Sequence, residues 1–480
     1  MTSFLLAFLP ELVLLAGALG LFCVTLGESQ GALARRLTLI VGLAAAIAAV
    51  IGVGQHAVLF DGAYRVDAFS QLLKVVLLGG FVGVALLSAD LPDIRAGIKS
   101  EYFLFLTLSA IGLVTLVSCV DALTMIVALE LSSFPLYLMV AMRRERAGFR
   151  LQMESAIKYI MFGVAANGIM FFGLSYLYGL TGTTSLPGMV EKLAPLFATS
   201  PLATAGLAMT CCGLYYKLAV FPFHFWTPDV YQGASNETAG FVSTLPKLGA
   251  VAVLVRLVSL AGPDNHTVAT LLTGLAIASM FYGNLVALVQ KDFKRLLGFS
   301  GIAHAGYALV GLVALNATGF SATIFYISGY VLMVLACFVV ITRVSRDGTN
   351  IAISDLAGLH RRSPLLAVTL LVGVFGLAGI PPFVGFMAKL GLLTGALAQG
   401  HLALVIIAMI NSAIAVYYYL QVVRQAVFGE KTAEVDPIQL DLGTRVLCVA
   451  LIAGIVFFGV APTGLVDAYY AALASINLPL

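Results

Sequence analysis

Long runs of apolar residues constrain this chain more than any other feature of its sequence. Of its 480 residues, 61% are hydrophobic and only 10% are charged, whereas soluble domains carry roughly 25% charged residues. A helix that spans a membrane needs about 20 predominantly apolar residues. Because such runs recur along the whole chain, the sequence predicts an all-α integral membrane protein with one polytopic membrane domain.

The runs predict about 14 transmembrane helices. The predicted spans are 3–25, 36–55, 67–88, 102–119, 121–141, 154–179, 203–231, 239–261, 267–289, 294–315, 320–345, 364–399, 402–428 and 442–472. When these spans are threaded alternately, most of the 26 lysines and arginines fall on one face. Positive charge is retained in the cytoplasm, so we expect a multi-pass protein of the bacterial inner membrane with both termini in the periplasm.

Prolines interrupt the seventh and twelfth predicted spans, at Pro222 and at the pair Pro381 and Pro382. Proline removes a backbone donor and breaks a helix, and freed carbonyls at membrane depth are tolerated only inside protein or beside a water-filled cavity. Broken helices at matching places in two halves indicate an inverted repeat with an ion site nearby. The predicted parts are N-terminal helices in 1–101, a first repeat in 102–261, a second in 267–428 and a last helix in 442–472.

Four charged residues lie deep inside predicted spans: Glu130, Lys217, Lys247 and Lys389. Charged groups at the bilayer centre are costly and usually functional. Three of them also have a specific structural interpretation: Glu130 caps a kink at Pro135, Lys217 bonds carbonyls freed by its helix break, and Lys247 extends to the membrane surface. We expect these four residues to carry protons, and the structural interpretations stay open.

Lysine can carry protons inside a membrane because burial disfavours its charged form, and a nearby carboxylate favours that form again. Glu130 with Lys217 is therefore the predicted switch pair, and Lys247 and Lys389 would pass the proton on. The sequence has no nucleotide-binding loop and no cofactor motif. The driving force is expected from a partner complex or from an ion gradient.

Further residues are possible members of a relay: Lys158, His224, His304 and Tyr307. Lys158 lies close enough to the cytoplasmic end of its span to extend to the surface instead. His224 equally fits a packing role, and His304 and Tyr307 share one helix face that either holds water or bonds neighbouring helices.

Other charged residues are expected to be structural. Lys74 and Arg256 lie within reach of the outer face and are interpreted as side chains extending to the membrane surface, and Glu11 as a structural carboxylate near that surface. The six cysteines have no C-x-x-C spacing, so no metal site is predicted.

Three of these segments resemble a known family. The stretch KLAVFPFHFWTPDVYQGA, residues 217–234, resembles the most distinctive segment of the antiporter-like subunits of respiratory complex I, the proton-pumping NADH-quinone oxidoreductase. The stretch KRLLGFSGIAHAGY, residues 294–307, resembles their second signature. The stretch GIPPFVGFMAK, residues 379–389, is similar to subunit N in particular, where the twelfth-helix ion carrier is a lysine. The resemblance covers essentially the whole chain.

The resemblance implies about 14 helices with two inverted five-helix repeats, and with helices 7 and 12 discontinuous. It matches Glu130, Lys217, Lys247 and Lys389 to the proton carriers of the fifth, seventh, eighth and twelfth helices, and Lys158 to a sixth-helix lysine. It implies a translocase subunit without a cofactor of its own. FMN, iron–sulfur clusters and quinone are expected in partner subunits. The expected partners are K- and M-type neighbours, redox-arm subunits and lipid, and no nucleic acid.

Other functions stay open at this point. The same fold serves subunits of multi-subunit cation/proton antiporters and of related hydrogenase-type complexes, although Lys389 and the Gly-Ile-Pro-Pro break favour NADH-quinone oxidoreductase. A scaffold that transports nothing would leave several costly charges in the membrane unexplained.

Overall fold

The chain is almost entirely helical in a computed structural model that describes residues 2–145, 151–263, 265–429 and 437–474. The N-terminal part contains α1 (Thr2–Ala7), α2 (Leu9–Thr25), α3 (Gly31–Ile51), strands β1 (Ala57–Leu59) and β2 (Tyr64–Val66), and α4 (Ala68–Leu87). The two strands pair antiparallel, with Ala57 opposite Val66. This short hairpin was not predicted, because a few residues of extended chain give no signal in a scan for long apolar runs.

The middle of the chain continues as two series of helices. The first series is α5 (Lys99–Leu116), α6 (Ala122–Ala141), α7 (Leu151–Thr181), α8 (Leu186–Leu193), α9 (Leu196–Thr199), α10 (Pro201–Leu218), α11 (Trp226–Gly233), α12 (Asn236–Val242) and α13 (Leu245–Val258). The second is α14 (His266–Ala287), α15 (Phe293–Val313), α16 (Ala317–Val344), α17 (Leu359–Arg362), α18 (Pro364–Ala378), α19 (Val384–Ala398) and α20 (Leu402–Phe428). The chain then forms α21 (Leu442–Val460) and α22 (Thr463–Ala474).

Among the described residues, 11 helical segments are long and apolar enough to cross a membrane, and three shorter helices are also apolar. Every predicted span overlaps at least one helix. The prediction of an all-α integral membrane protein is therefore confirmed, while the exact number of crossings stays a prediction.

The seventh and twelfth predicted spans are each two helices, as expected from their prolines. The first break separates α10 from α11, and the second separates α18 from α19. The eighth predicted span is also interrupted, between Val242 and Leu245. Its break follows from Pro246 in the first turn of α13, because proline has no N–H to donate to the carbonyl of Val242 four residues earlier and its ring clashes with that carbonyl.

Helices α13, α15 and α16 form the centre of the bundle, and almost all of their residues are buried. Helices α7, α20 and α21 lie at the perimeter and expose large apolar side chains, such as Met161 and Phe172 on α7. The two series pack in a similar way, since α5 contacts α6 and α7 contacts α10 in the first, and α14 contacts α15 and α16 contacts α18 in the second. The division into two repeats stays a prediction.

Glycines allow close approach where helices of one series cross. A Cβ atom placed on Gly283 of α14 would lie 2.5 Å from the backbone nitrogen of Ala303 and 2.7 Å from the carbonyl oxygen of Phe299, both on α15. Small residues at such crossings let backbones approach within a membrane. Gly274 lies on the same helix and has nothing within 4 Å of the corresponding position.

We expect Gly283→Ala to lower the free energy of unfolding by about 1–3 kcal/mol, because the neighbouring backbone cannot move aside as a flexible side chain can. The matched Gly274→Ala variant is expected to be neutral or up to about 1 kcal/mol more stable, as alanine favours a helix. Thermal unfolding of the detergent-purified chain measures both. Equal midpoints for the two variants would contradict the close crossing.

Candidate functional site

The break between α10 and α11 is closed by hydrogen bonds from the protein itself. Helix α10 ends at Leu218, and the next residue, Ala219, has left-handed backbone angles (φ 67°). The indole nitrogen of Trp226 donates to the carbonyl of Tyr216 at 3.0 Å, and the Phe221 N–H donates to Ser279 Oγ at 3.0 Å. These side chains thereby bond backbone groups of the interrupted helix at membrane depth, where such groups need partners.

Lys217 lies in the last turn of α10 and is 3% exposed. Its ammonium nitrogen has no hydrogen-bond partner among the described residues. It lies 6.0 Å from the ring centroids of Tyr137 and of Tyr159. The alternative in which Lys217 bonds the freed carbonyls of the break therefore has no support in the contacts of this side chain.

Glu130 lies on α6, half-buried, and accepts a hydrogen bond from the amide of Asn167 on α7. Glu130 and Lys217 are close enough to interact through their charges, but in the described part of the chain no direct ion pair joins them. The fold therefore brings Glu130 and Lys217, the predicted switch pair, near each other without a direct ion pair between the described side chains. Asn167 was missed from the sequence, where its only signal is a polar side chain inside the long apolar sixth span.

Lys247 lies in α13 and is 1% exposed. Its ammonium donates to the carbonyl of Gly301 at 3.2 Å and to the hydroxyl of Tyr330 at 3.4 Å. The side chain therefore points into the bundle centre, between α15 and α16. The alternative in which Lys247 extends to the membrane surface is wrong, because the bundle interior supplies its partners.

Lys389 lies in α19, just after the second break. Its ammonium donates to the carbonyls of Leu377 and Ala378 at 3.2 and 3.0 Å, and to Ser412 Oγ at 3.0 Å. Leu377 and Ala378 are the last residues of α18, so this lysine bonds carbonyls that the break at Pro381 and Pro382 leaves free.

His304 bonds two tyrosines in the bundle centre. Its Nδ1 lies 2.5 Å from the hydroxyl of Tyr326, and its Nε2 lies 3.0 Å from the hydroxyl of Tyr419. The predicted bonding of helix to helix thus occurs here, between α15, α16 and α20.

Aromatic rings connect the two inner lysines through His304. Its ring centroid is 5.0 Å from that of Tyr330 and 6.1 Å from that of Tyr307. Lys247 lies over the ring of Tyr330 at 5.2 Å, and Lys389 over that of Tyr307 at 4.8 Å. Lys247, Tyr330, His304, Tyr307 and Lys389 form one buried row, here called the central row.

A second set of aromatic rings extends from Lys217 toward the central row. The ring of Tyr159 stacks on Trp226 at 4.6 Å, and Trp226 lies 6.3 Å from Tyr231. A Cβ atom placed on Gly301 would lie 2.9 Å from Lys247 Nζ and 3.8 Å from the Tyr231 hydroxyl. The three lysines are therefore connected through buried aromatic side chains. The positions of Tyr159 and Tyr231 in this set could not be predicted from the sequence, since aromatic residues are common in any apolar span.

His224 and Lys158 lie outside these two sets of contacts. His224 is 1% exposed, and within the described ranges neither ring nitrogen has a hydrogen-bond partner. Its ring packs on Phe225 and Tyr282, with centroids 4.4 and 4.3 Å away. Lys158 forms ion pairs with Glu154 at 2.6 Å and Asp229 at 2.7 Å, and its side chain is 37% exposed. The packing and surface alternatives thus fit both residues, and a relay role for either stays a prediction.

The expectation that Lys74 and Arg256 extend to the membrane surface is wrong. Lys74 is fully buried and forms an ion pair with Glu11 at 2.7 Å, and the hydroxyl of Tyr64 also donates to Glu11 at 2.5 Å. Arg256 is 2% exposed and pairs with Asp67 at 3.4 Å. Both cations point inward because carboxylates distant in sequence lie beside them, which no local pattern shows.

Within the part of the chain that the structure describes, no three His, Cys, Asp or Glu side chains are grouped so that they could hold a metal ion.

Comparison with known proteins identifies the family. A family model described as NADH:quinone oxidoreductase/Mrp antiporter, transmembrane, matches residues 119–415. This chain belongs to the NADH:quinone oxidoreductase/Mrp antiporter family. One member, NADH-quinone oxidoreductase subunit N 2 of Opitutus terrae, is 66% identical over 477 residues, which cover 99% of each chain. The resemblance to subunit N that the sequence motifs carry is therefore confirmed.

Solved structures agree with this family. A chain of respiratory complex I from Thermus thermophilus with bound Aureothin has a TM-score of 0.83 at 31% identity, and the match covers 96% of this chain and 100% of that chain. A chain of the Mrp complex from Dietzia sp. DQ12-45-1b has a TM-score of 0.86 at 20% identity, covering 99% and 98%. At that identity the second match supports the fold alone.

The bond from Phe221 to Ser279 can be tested against a matched site on the same helix. Ser279 and Thr273 of α14 both donate to a carbonyl four residues earlier, but only Ser279 also accepts from the broken helix. We expect Ser279→Ala to lower the free energy of unfolding by about 1–3 kcal/mol, because the partly buried N–H of Phe221 loses its hydrogen-bond partner. Thr273→Ala is expected within about 0.5 kcal/mol of wild type. Thermal unfolding in detergent measures both, and equal losses would argue against the bond across the break.

The buried pair of Glu11 and Lys74 predicts a non-additive pair of substitutions. Lys74→Met alone is expected to destabilise the chain by about 3–5 kcal/mol, because it leaves a buried carboxylate unpaired. The double variant Glu11→Gln with Lys74→Met should recover much of that loss. Thermal unfolding of the two variants and of Glu11→Gln completes the double-mutant cycle. A double variant that is no more stable than Lys74→Met would contradict the pairing.

Proposed function

We propose that this chain is the N-type membrane subunit of a proton-translocating NADH-quinone oxidoreductase, and that Glu130, Lys217, Lys247 and Lys389 carry the protons. The observation that carries the proposal is the central row, in which two buried lysines are connected through His304 and tyrosines. Burying charged groups inside a membrane is costly, so groups that are kept there are usually functional. The high identity to a subunit N over nearly the full length supports the same function.

Lys217 and Glu130 are suited to start the transfer. Lys217 has no hydrogen bond that holds its charge, so its affinity for a proton depends on the charge of Glu130 nearby. Two unit charges interact by about 4 kcal/mol at 4 Å and an effective dielectric constant of 20. A change of separation or of charge at Glu130 is therefore large enough to switch Lys217 between holding and releasing a proton.

The energy for this transfer must come from outside the chain. Moving one charge against 100 mV costs about 2.3 kcal/mol, and the relatives named NADH-quinone oxidoreductase indicate electron transfer from NADH to quinone as the source. FMN, iron–sulfur clusters and quinone would lie in partner subunits, among them redox-arm subunits. K- and M-type neighbours and lipid would contact the membrane faces. The chain would lie in a bacterial inner membrane with both termini in the periplasm.

A cation/proton antiporter subunit is the second candidate, since a chain of an Mrp complex has the same fold. The central row argues against sodium as the transported ion, because positively charged lysines repel a cation and offer it no oxygen ligands. Sodium-independent pumping is therefore part of the proposal. Pumping that requires sodium would favour the antiporter function.

We expect Lys217→Ala in the assembled complex to reduce proton pumping and redox turnover together, by roughly tenfold or more, because a positioned proton carrier is lost. Proton uptake by inverted membrane vesicles after NADH addition measures pumping, and NADH oxidation measures turnover. Lys291→Ala is the matched control, since Lys291 is an exposed lysine outside the site. Normal assembly with normal pumping in Lys217→Ala would contradict a proton-carrying role for Lys217.

A further inference from the structure

Glu237 is a buried carboxylate that the proton path above does not use. It lies in the first turn of α12 and is 3% exposed. One of its carboxyl oxygens has no hydrogen-bond partner among the described residues, and the same is true of both side-chain amide atoms of the adjacent Asn236. Buried polar atoms of this kind are normally bonded to ordered water when protein partners are lacking.

Glu237 lines a polar cavity of about 440 Å³. The cavity also has Asp90, Arg343 and Gln439 in its walls, and Asp90 at its mouth has a 76% exposed side chain. The volume has room for several waters, each of which needs only a small polar space and two to four partners. The cavity therefore connects the carboxyl group of Glu237 to the surface at the end of the bundle where α12 begins.

The groups around Glu237 hold opposing charges. Lys294 and Asp93 are near enough to interact with its charge, yet Lys294 donates to the carbonyl of Ala234 at 2.9 Å, and the described structure has no direct ion pair between Lys294 and Glu237. The other titratable or charged groups that face this region are Asp90 after α4, Tyr102 on α5, Arg143 after α6, Arg343 on α16 and Arg346 just after that helix. Since no single cation pairs with the carboxyl group, it can both hold and release a proton.

Lys294, which interacts with the charge of Glu237, lies on the helix that also contacts the central row. Lys294 and Gly301 share one face of α15, two turns apart, which is about 10 Å at 1.5 Å per residue. The carbonyl of Gly301 accepts from Lys247, and the Tyr231 hydroxyl beside it has no partner among the described residues. A Cβ atom placed on Gly301 would lie 3.8 Å from this hydroxyl and 2.9 Å from Lys247 Nζ, so the hydroxyl lies beside the first lysine of the row.

We propose that Glu237 is the proton-uptake group of this chain, loading Lys247 from the cavity. Glu237 takes a proton from cavity water as a carboxylate, and gives it through water and the Tyr231 hydroxyl to the neutral amine of Lys247. Glu237 is then a carboxylate again and Lys247 an ammonium, so the proton and the charge balance. This inference rests on the proposed function, and under the proposed topology the cavity opens to the cytoplasm.

The test uses Glu237→Gln in the assembled complex in inverted membrane vesicles. We expect at least about a tenfold loss of pumping, because an uptake acid is removed, with assembly retained and with the loss growing as pH rises and protons become scarcer. Glu191→Gln, which changes an exposed glutamate on α8, is the matched control and should pump as wild type. Glu237→Asp keeps a carboxyl group and should recover part of the rate.

Wild-type pumping by Glu237→Gln between about pH 6 and 8 would overturn the uptake role. If Glu237→Gln does not assemble, Glu237→Asp decides instead: a slower rate with a shifted pH profile supports the proposal, and a wild-type profile overturns it. The Lys247→Ala variant distinguishes failure of the proposed function from failure of the uptake role alone. Normal pumping by Lys247→Ala contradicts the proposed function, whereas loss in Lys247→Ala with wild-type pumping in Glu237→Gln contradicts only the uptake role.

Discussion

The cost of placing an ammonium group inside a membrane is the constraint on which the rest of this structure depends. A charged side chain at the bilayer centre is tolerated only where the protein supplies partners, and the three central lysines meet this need differently. Lys247 bonds a helix carbonyl and a tyrosine, and Lys389 bonds the open end of α18. Lys217 has no hydrogen bond among the described residues, but lies near the charge of Glu130 and the rings of two tyrosines. The broken helices and the buried tyrosines follow from this requirement.

The two helix breaks look alike in the sequence but hold their lysines differently. At the first break, Trp226 and Ser279 bond the freed backbone groups, so Lys217 is not needed there and stays free to respond to Glu130. At the second break, the carbonyls of Leu377 and Ala378 are left for Lys389. The two lysines therefore differ in their surroundings, since Lys389 is hydrogen-bonded at its break and Lys217 has no hydrogen-bond partner among the described residues.

Much of the fold could be predicted because hydropathy and proline act locally. Apolar runs locate the spans, and Pro222 and Pro381 locate the two breaks. The break before α13 was missed because the apolar run of the eighth predicted span, 239–261, continues on both sides of Pro246. The inward direction of Lys74 was missed for another reason: its partner Glu11 comes from another helix, and no local pattern shows which distant carboxylate lies beside a lysine. The residues that carry charge were predictable, whereas their partners were not.

The central row is buried and polar, yet its own groups do not form an unbroken chain of hydrogen bonds. Lys247 bonds Tyr330, and His304 bonds Tyr326 and Tyr419, but in the described residues no bond joins Tyr330 to His304. A proton can cross such a gap only when water enters or a side chain turns. For a pump this is an advantage, because a permanently continuous path would let protons flow back down their gradient. The rings that separate the lysines by 5.0 to 6.1 Å steps therefore serve as barriers as well as connections, and the charge of Glu130 and the hydration of the row would have to change together for a proton to pass.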